Sequence, residues 1–159
     1  MTVISLTDSE FRLGISVGTY RHILALKRGH KGTYGVDDNA DPWDRDIEGA
    51  CAEMSVAKYT NQYWGGPVGP KPGDVGDLEV RYTERKSNSL IVRESDDDEA
   101  VFILVTGKAP HQDVVGWLHG LDAKQNKYLS AKGTNRPPAW FVPQCDLRQM
   151  DDLLITLAE

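Results

Sequence analysis

The segment Leu78-Glu-Val-Arg-Tyr-Thr83 alternates apolar side chains with charged or polar ones. Successive side chains of a β-strand point to opposite faces. Its apolar residues therefore share one face, while Glu79 and Arg81 share the other with Asp77, which stands just before the strand. This pattern predicts a strand that lies on a core and carries acidic and basic groups on its second face.

Residues 89–93, 100–105 and 113–118 also have the composition of strands and follow after short polar connections. Such connections are typical of antiparallel neighbours, so we expect a meander. Residues 101–105 are continuously apolar, which indicates a central strand covered on both faces. The sequence thus predicts an α+β fold in which helices flank a central, mainly antiparallel, mixed four-stranded sheet over residues 74–120.

Two helices are predicted before the sheet and one after it. Residues 7–10, Thr-Asp-Ser-Glu, form a capping box, and apolar residues at helical spacing follow, which predicts a helix over residues 7–28. Asp44 can cap a second helix over residues 45–60, and Asp146 can cap a helix within the otherwise irregular segment 121–159. A chain of 159 residues with these elements is expected to form one domain, residues 1–159.

The bulk composition restricts the classes of protein that need to be considered. Hydrophobic residues at 40% and charged residues at 26% are ordinary for a globular protein. The first residues have neither a basic region nor a long apolar run, so we expect no secretory signal, no membrane span and a cytoplasmic location. The formal net charge of -6 argues against indiscriminate nucleic-acid binding, although a site that binds a metal ion can reverse the local sign.

A buried acid is predicted on the second helix. Glu53 has only small or apolar residues three and four positions away, namely Gly49, Ala50, Val56 and Ala57. A glutamate rarely enters a packed face unless a cation or hydrogen bonds compensate its charge. The alternatives are that Glu53 reaches solvent at the edge of that face, and that the charges of the strand are simply hydrated.

The order of these residues resembles the PD-(D/E)XK nuclease superfamily. A helix glutamate, Glu53, is followed by the glycine-bounded Asp74 at a strand entrance and then by Glu79 and Arg81 on that strand. The resemblance covers roughly residues 45–106. The chain is also similar to small uncharacterised bacteriophage proteins with a Gly-Asp-Val-Gly, Glu-Val-Arg and Leu-Ile-Val-Arg pattern. The resemblance to the superfamily implies a restriction-endonuclease-like core. The similarity to the phage proteins implies a location in the bacterial host cytoplasm if the protein is phage-encoded.

The resemblance also implies a mechanism. Glu53, Asp74, Glu79 and Arg81 would be the catalytic residues, with Asp74 and Glu79 as ligands of Mg²⁺ or Mn²⁺ and Asp77 as an alternative acid. The metal would activate a water for hydrolysis of DNA phosphodiester bonds. Arg81 stands where the family has lysine, and guanidinium positions a phosphate but does not readily exchange a proton.

Several alternatives remain open from the sequence. Glu84-Arg85-Lys86 gives the literal E-x-K spelling but falls at a turn, so it ranks second. DNA contact would fall to a basic run, Arg21, His22, Lys27, Arg28, His30 and Lys31, which is equally typical of a hydrated helix end. The competing function is a catalytically inactive nuclease-fold phage accessory protein that binds a host protein or nucleic acid. A homodimer is compatible with either function.

Overall fold

Seven strands and four α-helices occur in residues 1–29, 41–68, 73–131 and 137–158, which the computed structural model describes. In chain order they are β1 (Thr2–Ser5), α1 (Asp8–Lys27), α2 (Pro42–Thr60), β2 (Leu78–Thr83), β3 (Leu90–Arg93), β4 (Val101–Lys108), β5 (His111–His119), α3 (Gly120–Ala123), β6 (Leu129–Ser130), β7 (Ala139–Val142) and α4 (Met150–Ala158). Among these described helices, none combines the length and the apolar composition that a membrane span requires.

The main sheet has four strands in the order β1-β5-β4-β2. β5 is antiparallel to both β1 and β4, whereas β2 is parallel to β4, with Leu78 beside Val101 and Thr83 beside Thr106. The predicted α+β class, with a mixed four-stranded sheet and flanking helices, is confirmed.

The predicted meander is wrong. β3 leaves the main sheet and pairs with β7, which pairs with β6 in a second, three-stranded sheet, and β1 supplies the fourth strand of the main sheet. Parallel neighbours need a crossover connection, and here the segment between β2 and β4, with β3 inside it, makes that crossover. Connection length alone does not say which strands share hydrogen bonds.

Each face of the main sheet lies on its own hydrophobic cluster. The first face carries Leu78, Ile103 and Val105, which pack with buried residues of α2 and with Leu153 of α4. The second face carries Phe102 and Leu104, which pack with Leu90, Val92 and Val142 of the three-stranded sheet. Because the sheet is covered on both faces, β4 is almost completely buried, as its apolar sequence predicted.

The helices begin close to the predicted positions. Both hydrogen bonds of the capping box at Thr7 are present, and α1 runs to Lys27. Asp41, not Asp44, caps α2, because its side chain accepts a hydrogen bond from the Trp43 amide and Pro42 occupies the first turn. At the other end of the chain Asp146 lies in a short 3-10 turn, and α4 begins only at Met150.

Candidate functional site

Glu53 lies inside the protein and is held by charge-assisted hydrogen bonds. Its Oε1 accepts from Arg21 Nη1 at 2.6 Å, and its Oε2 accepts from Arg21 Nη2 at 2.8 Å and from Trp64 Nε1 at 2.9 Å. Only 8% of the Glu53 side chain is exposed. The prediction of a buried, compensated glutamate on α2 is therefore confirmed, and the compensating groups are a guanidinium and an indole.

Arg21 reaches Glu53 because α1 packs very closely against α2. Gly14 and Gly18 face α2, and a Cβ added at Gly18 would overlap the Ile47 backbone. Arg21 also donates to the Pro67 carbonyl oxygen at 2.8 Å. Burial lowers the pKa of Arg21, but the hydrogen bonds and charge of Glu53, with smaller effects of Asp74 and Asp46, raise it overall. Arg21 is thus a permanent cation among buried acids.

Asp74 stabilises the outer edge of β2. Its Oδ2 accepts a hydrogen bond from the Val80 amide at 2.8 Å, and its own amide donates to the Leu78 carbonyl at 2.8 Å. This is possible because Gly76, with φ of 58°, turns the chain back on itself between Val75 and Leu78. The carboxylate therefore takes the place of a neighbouring strand along part of this edge.

Glu79 and Arg81 lie on the second face of the main sheet, away from α2. The guanidinium of Arg81 stands 4.8 Å from the ring centroid of Phe102, a residue of the second cluster. Its Nη1 is 3.3 Å from Glu79 Oε2, and its Nη2 is 3.0 Å from Asp96 Oδ1. Arg81 is therefore a bridge between two carboxylates on this face, with its cationic group stacked on an aromatic ring.

The predicted site residues therefore divide into two groups. Glu53 and Asp74 lie on the side of α1 and α2, where both carboxylates act on Arg21. Glu79 and Arg81 project from the second face of the sheet, on the side opposite α2, and Asp77 is exposed in the turn before β2. Within residues 1–29, 41–68, 73–131 and 137–158, no three histidine, cysteine or acidic side chains form a group that could hold a metal ion. The Mg²⁺ or Mn²⁺ site that the resemblance implies stays a prediction.

The fold also determines where the residues of the second-ranked E-x-K element and of the basic run lie. Lys86 leaves the turn after β2 and forms an ion pair with Asp113 of β5 at 2.9 Å. In the basic run His22 is buried, bonded to Asp46 Oδ2 at 2.7 Å and packed against the ring of Trp43. His30 and Lys31 lie outside the described residues. Arg21 and His22 thus face the interior, so the run does not form one continuous basic surface.

A buried polar cluster that the sequence did not reveal lies between α2 and β5. Glu48 Oε2 accepts from the Ala109 amide at 2.8 Å and from Gln112 Nε2 at 3.0 Å, and Ser55 donates to Gln112 Oε1 at 3.0 Å. Burial raises the pKa of Glu48, and these hydrogen bonds oppose the shift only in part. Glu48 is spaced five residues before Glu53 on α2, and no local pattern marks it as a buried acid.

Each carboxylate at the predicted positions 53, 74 and 79 has a cationic or backbone donor within hydrogen-bonding or ion-pair distance. Comparison with protein-family models, with curated proteins and with solved structures gives no match to this chain.

Proposed function

We propose that the protein is catalytically inactive and that it binds a protein partner. The observation that carries this proposal is that both carboxylate oxygens of Glu53 already accept hydrogen bonds from other side chains. Both of its oxygens are engaged by the Arg21 guanidinium, and Trp64 donates to one of them. A nuclease of the kind that the sequence resembles would need Glu53 and Glu79 around a shared metal ion, whereas these two residues lie on opposite sides of the main sheet.

The charge of the chain favours a protein as the partner rather than nucleic acid. The formal net charge is -6, and a protein that neutralises phosphates needs a positive face. The resemblance to small phage proteins supports a host protein as the class of partner.

The outer face of α1, defined by Leu13, Tyr20 and Ile23, is the surface that we assign to this partner. These residues share one side of the helix, and they are 46%, 54% and 37% exposed. Lys27 continues the same side at the basic end of the helix. An amphipathic partner segment with apolar side chains and an acidic end would complement both features.

A magnesium-dependent nuclease is the second candidate, and one observation favours it. Glu53 is bonded to the Arg21 guanidinium and the charge of Asp74 also raises the pKa of Arg21, so two acids stabilise one cationic group. Under this second proposal, Arg21 is the cation beside the two acids when no metal ion is bound. We derive no catalytic step from it, because Glu79 does not join the pair.

Nuclease activity is tested by incubating the protein with single- and double-stranded DNA and RNA, with Mg²⁺, with Mn²⁺ and with chelator. We expect no metal-dependent cleavage of any substrate. Cleavage that requires metal and is lost in both Glu53→Gln and Glu79→Ala would refute the binding proposal and establish the second candidate. An Asp122→Asn variant, altered in an exposed ion pair with Arg148, controls for general loss of charge.

The partner surface is tested with matched variants of exposed apolar residues. Tyr20→Asp introduces a charge on the outer face of α1, whereas Ile155→Asp introduces the same charge at a 64% exposed position of α4. We expect proteins that crosslink to the wild type in a host extract to be lost with Tyr20→Asp and retained with Ile155→Asp. If the two variants behave alike, the assignment to α1 is wrong.

A further inference from the structure

A second buried acid lies on the second face of the main sheet, remote from Glu53. The side chain of Asp113 on β5 is only 3% exposed, and its sole ionic partner among the described residues is Lys86, whose own side chain is 72% exposed. Lys86 Nζ stands 2.9 Å from Asp113 Oδ2, but within the described part of the chain that oxygen has no hydrogen-bond partner. An exposed lysine thus pairs with a buried carboxylate by charge, while the hydrogen-bonding capacity of Oδ2 stays unused.

A buried hydroxyl stands directly beside this carboxylate. Thr106 on β4 is the register partner of Asp113, so both side chains project from the same face of the sheet. Thr106 is 1% exposed, and its Oγ1 has no hydrogen-bond partner in the described residues. Buried polar atoms are almost always hydrogen-bonded, so each exception needs a physical explanation, and a bound group that completes the bonding is one. Two such exceptions on neighbouring strands therefore point to one occupant.

The surroundings define how an occupant could approach. Gly107 has φ of 90°, and a Cβ there would stand 3.7 Å from Lys86 Cε and 3.8 Å from Asp113 Oδ2, so the lysine stem passes over a backbone without side chain. On the other side, Val3 of the edge strand β1 is the register partner of Asp113 and is 59% exposed. Removing Lys86 from its place would open the site toward this apolar edge.

We propose that Asp113 and Thr106 form a binding site for a guanidinium group, supplied by an arginine side chain of the partner protein. Lys86 occupies the site in the free protein. An ammonium satisfies one acceptor from one point, whereas a planar guanidinium presents several donors along an edge and can reach Asp113 Oδ2 and Thr106 Oγ1 together. The methylene stem of the arginine would lie over Val3.

The inference rests on the proposed function only for the source of the arginine. The site itself can be titrated without any partner, so its failure is separate from a failure of the crosslinking or nuclease experiments. The probe is N-ethylguanidinium, with ethylammonium and sodium chloride at equal ionic strength as controls. Binding is followed by NMR through the backbone amides of residues 106 and 113.

We expect saturable binding of N-ethylguanidinium and weaker binding of ethylammonium. Thr106→Val removes the hydroxyl with little change in shape, and should weaken guanidinium binding about tenfold, as loss of one hydrogen bond to a charged group does. Lys86→Met removes the resident cation and should tighten it roughly fivefold, the worth of a largely exposed ion pair. Thr156→Val, at a threonine of α4 that bonds within its own helix, should change nothing.

Three results would overturn the inference. The first is no saturable binding to either the wild type or Lys86→Met. The second is equal affinity of Thr106→Val and Thr156→Val, which would show that the buried hydroxyl takes no part. The third concerns the source: a capped Ala-Arg-Ala peptide should bind more tightly than N-ethylguanidinium, and equal or weaker binding would exclude a protein side chain as the occupant.

Discussion

Replacing Arg21 with methionine removes the guanidinium from Glu53 and keeps an unbranched side chain of similar reach. The variant loses hydrogen bonds of 2.6 and 2.8 Å to the carboxylate and one of 2.8 Å to the Pro67 carbonyl, while Trp64 still donates to Glu53. Two charge-assisted hydrogen bonds at about 1.5 kcal/mol each give a loss of about 3 kcal/mol in the free energy of unfolding. For a chain of this length the melting temperature should fall by about 6 to 12 °C.

The measurement is denaturant unfolding followed by circular dichroism, with a double-mutant cycle through Glu53→Gln. The double variant Arg21→Met with Glu53→Gln should be more stable than Arg21→Met alone, because it has no buried charge that lacks its guanidinium. Arg148→Met is the matched control. It breaks a half-exposed ion pair with Asp122 and should cost at most about 1 kcal/mol. An Arg21→Met variant as stable as this control would refute the reasoning.

Three further predictions concern other parts of the molecule. Burial raises the pKa of Glu48 above 4.5 in the folded protein. The protonated side chain therefore stabilises the fold fully below pH 4.5, and this stabilisation is lost as the pH rises through the folded-state pKa. The free energy of unfolding of Glu48→Gln, measured between about pH 4 and 8, should lack this loss. Burial raises the pKa of Cys51 to about 12, so a thiol reagent at pH 8 should modify only the exposed Cys145 in the native protein and both cysteines in denaturant. Gly18→Ala should lower the free energy of unfolding by about 1 to 3 kcal/mol, because its Cβ would overlap the backbone of α2. Gly49→Ala should be neutral or stabilising, because an added Cβ there meets nothing within 4 Å. Thermal unfolding of both variants tests this contrast.

The local elements of this protein follow from the sequence because their causes are local. The capping box at Thr7 needs only residues 7–10, and the apolar period behind it makes α1. The alternation in residues 78–83 likewise suffices to place Leu78 and Val80 on a core and Glu79 and Arg81 on the other face of the strand. Small residues around Glu53 favour its burial, although they left open that it reaches solvent at the edge of that face. None of these features depends on which distant segment provides the contact.

The tertiary structure decided which segments meet, and with that the chemistry of the predicted residues. The sequence pattern of β3 is that of any half-buried strand, and only long-range packing assigns it to the sheet with β7 instead of a place beside β2. Arg21 becomes the partner of Glu53 because two glycines bring α1 against α2, a contact between residues 32 positions apart. Lys86 of the turn after β2 meets Asp113 of β5, a contact that no local spacing encodes. A side chain's type and the face from which it projects are properties of its own segment, but the group that neutralises its charge comes from elsewhere in the fold.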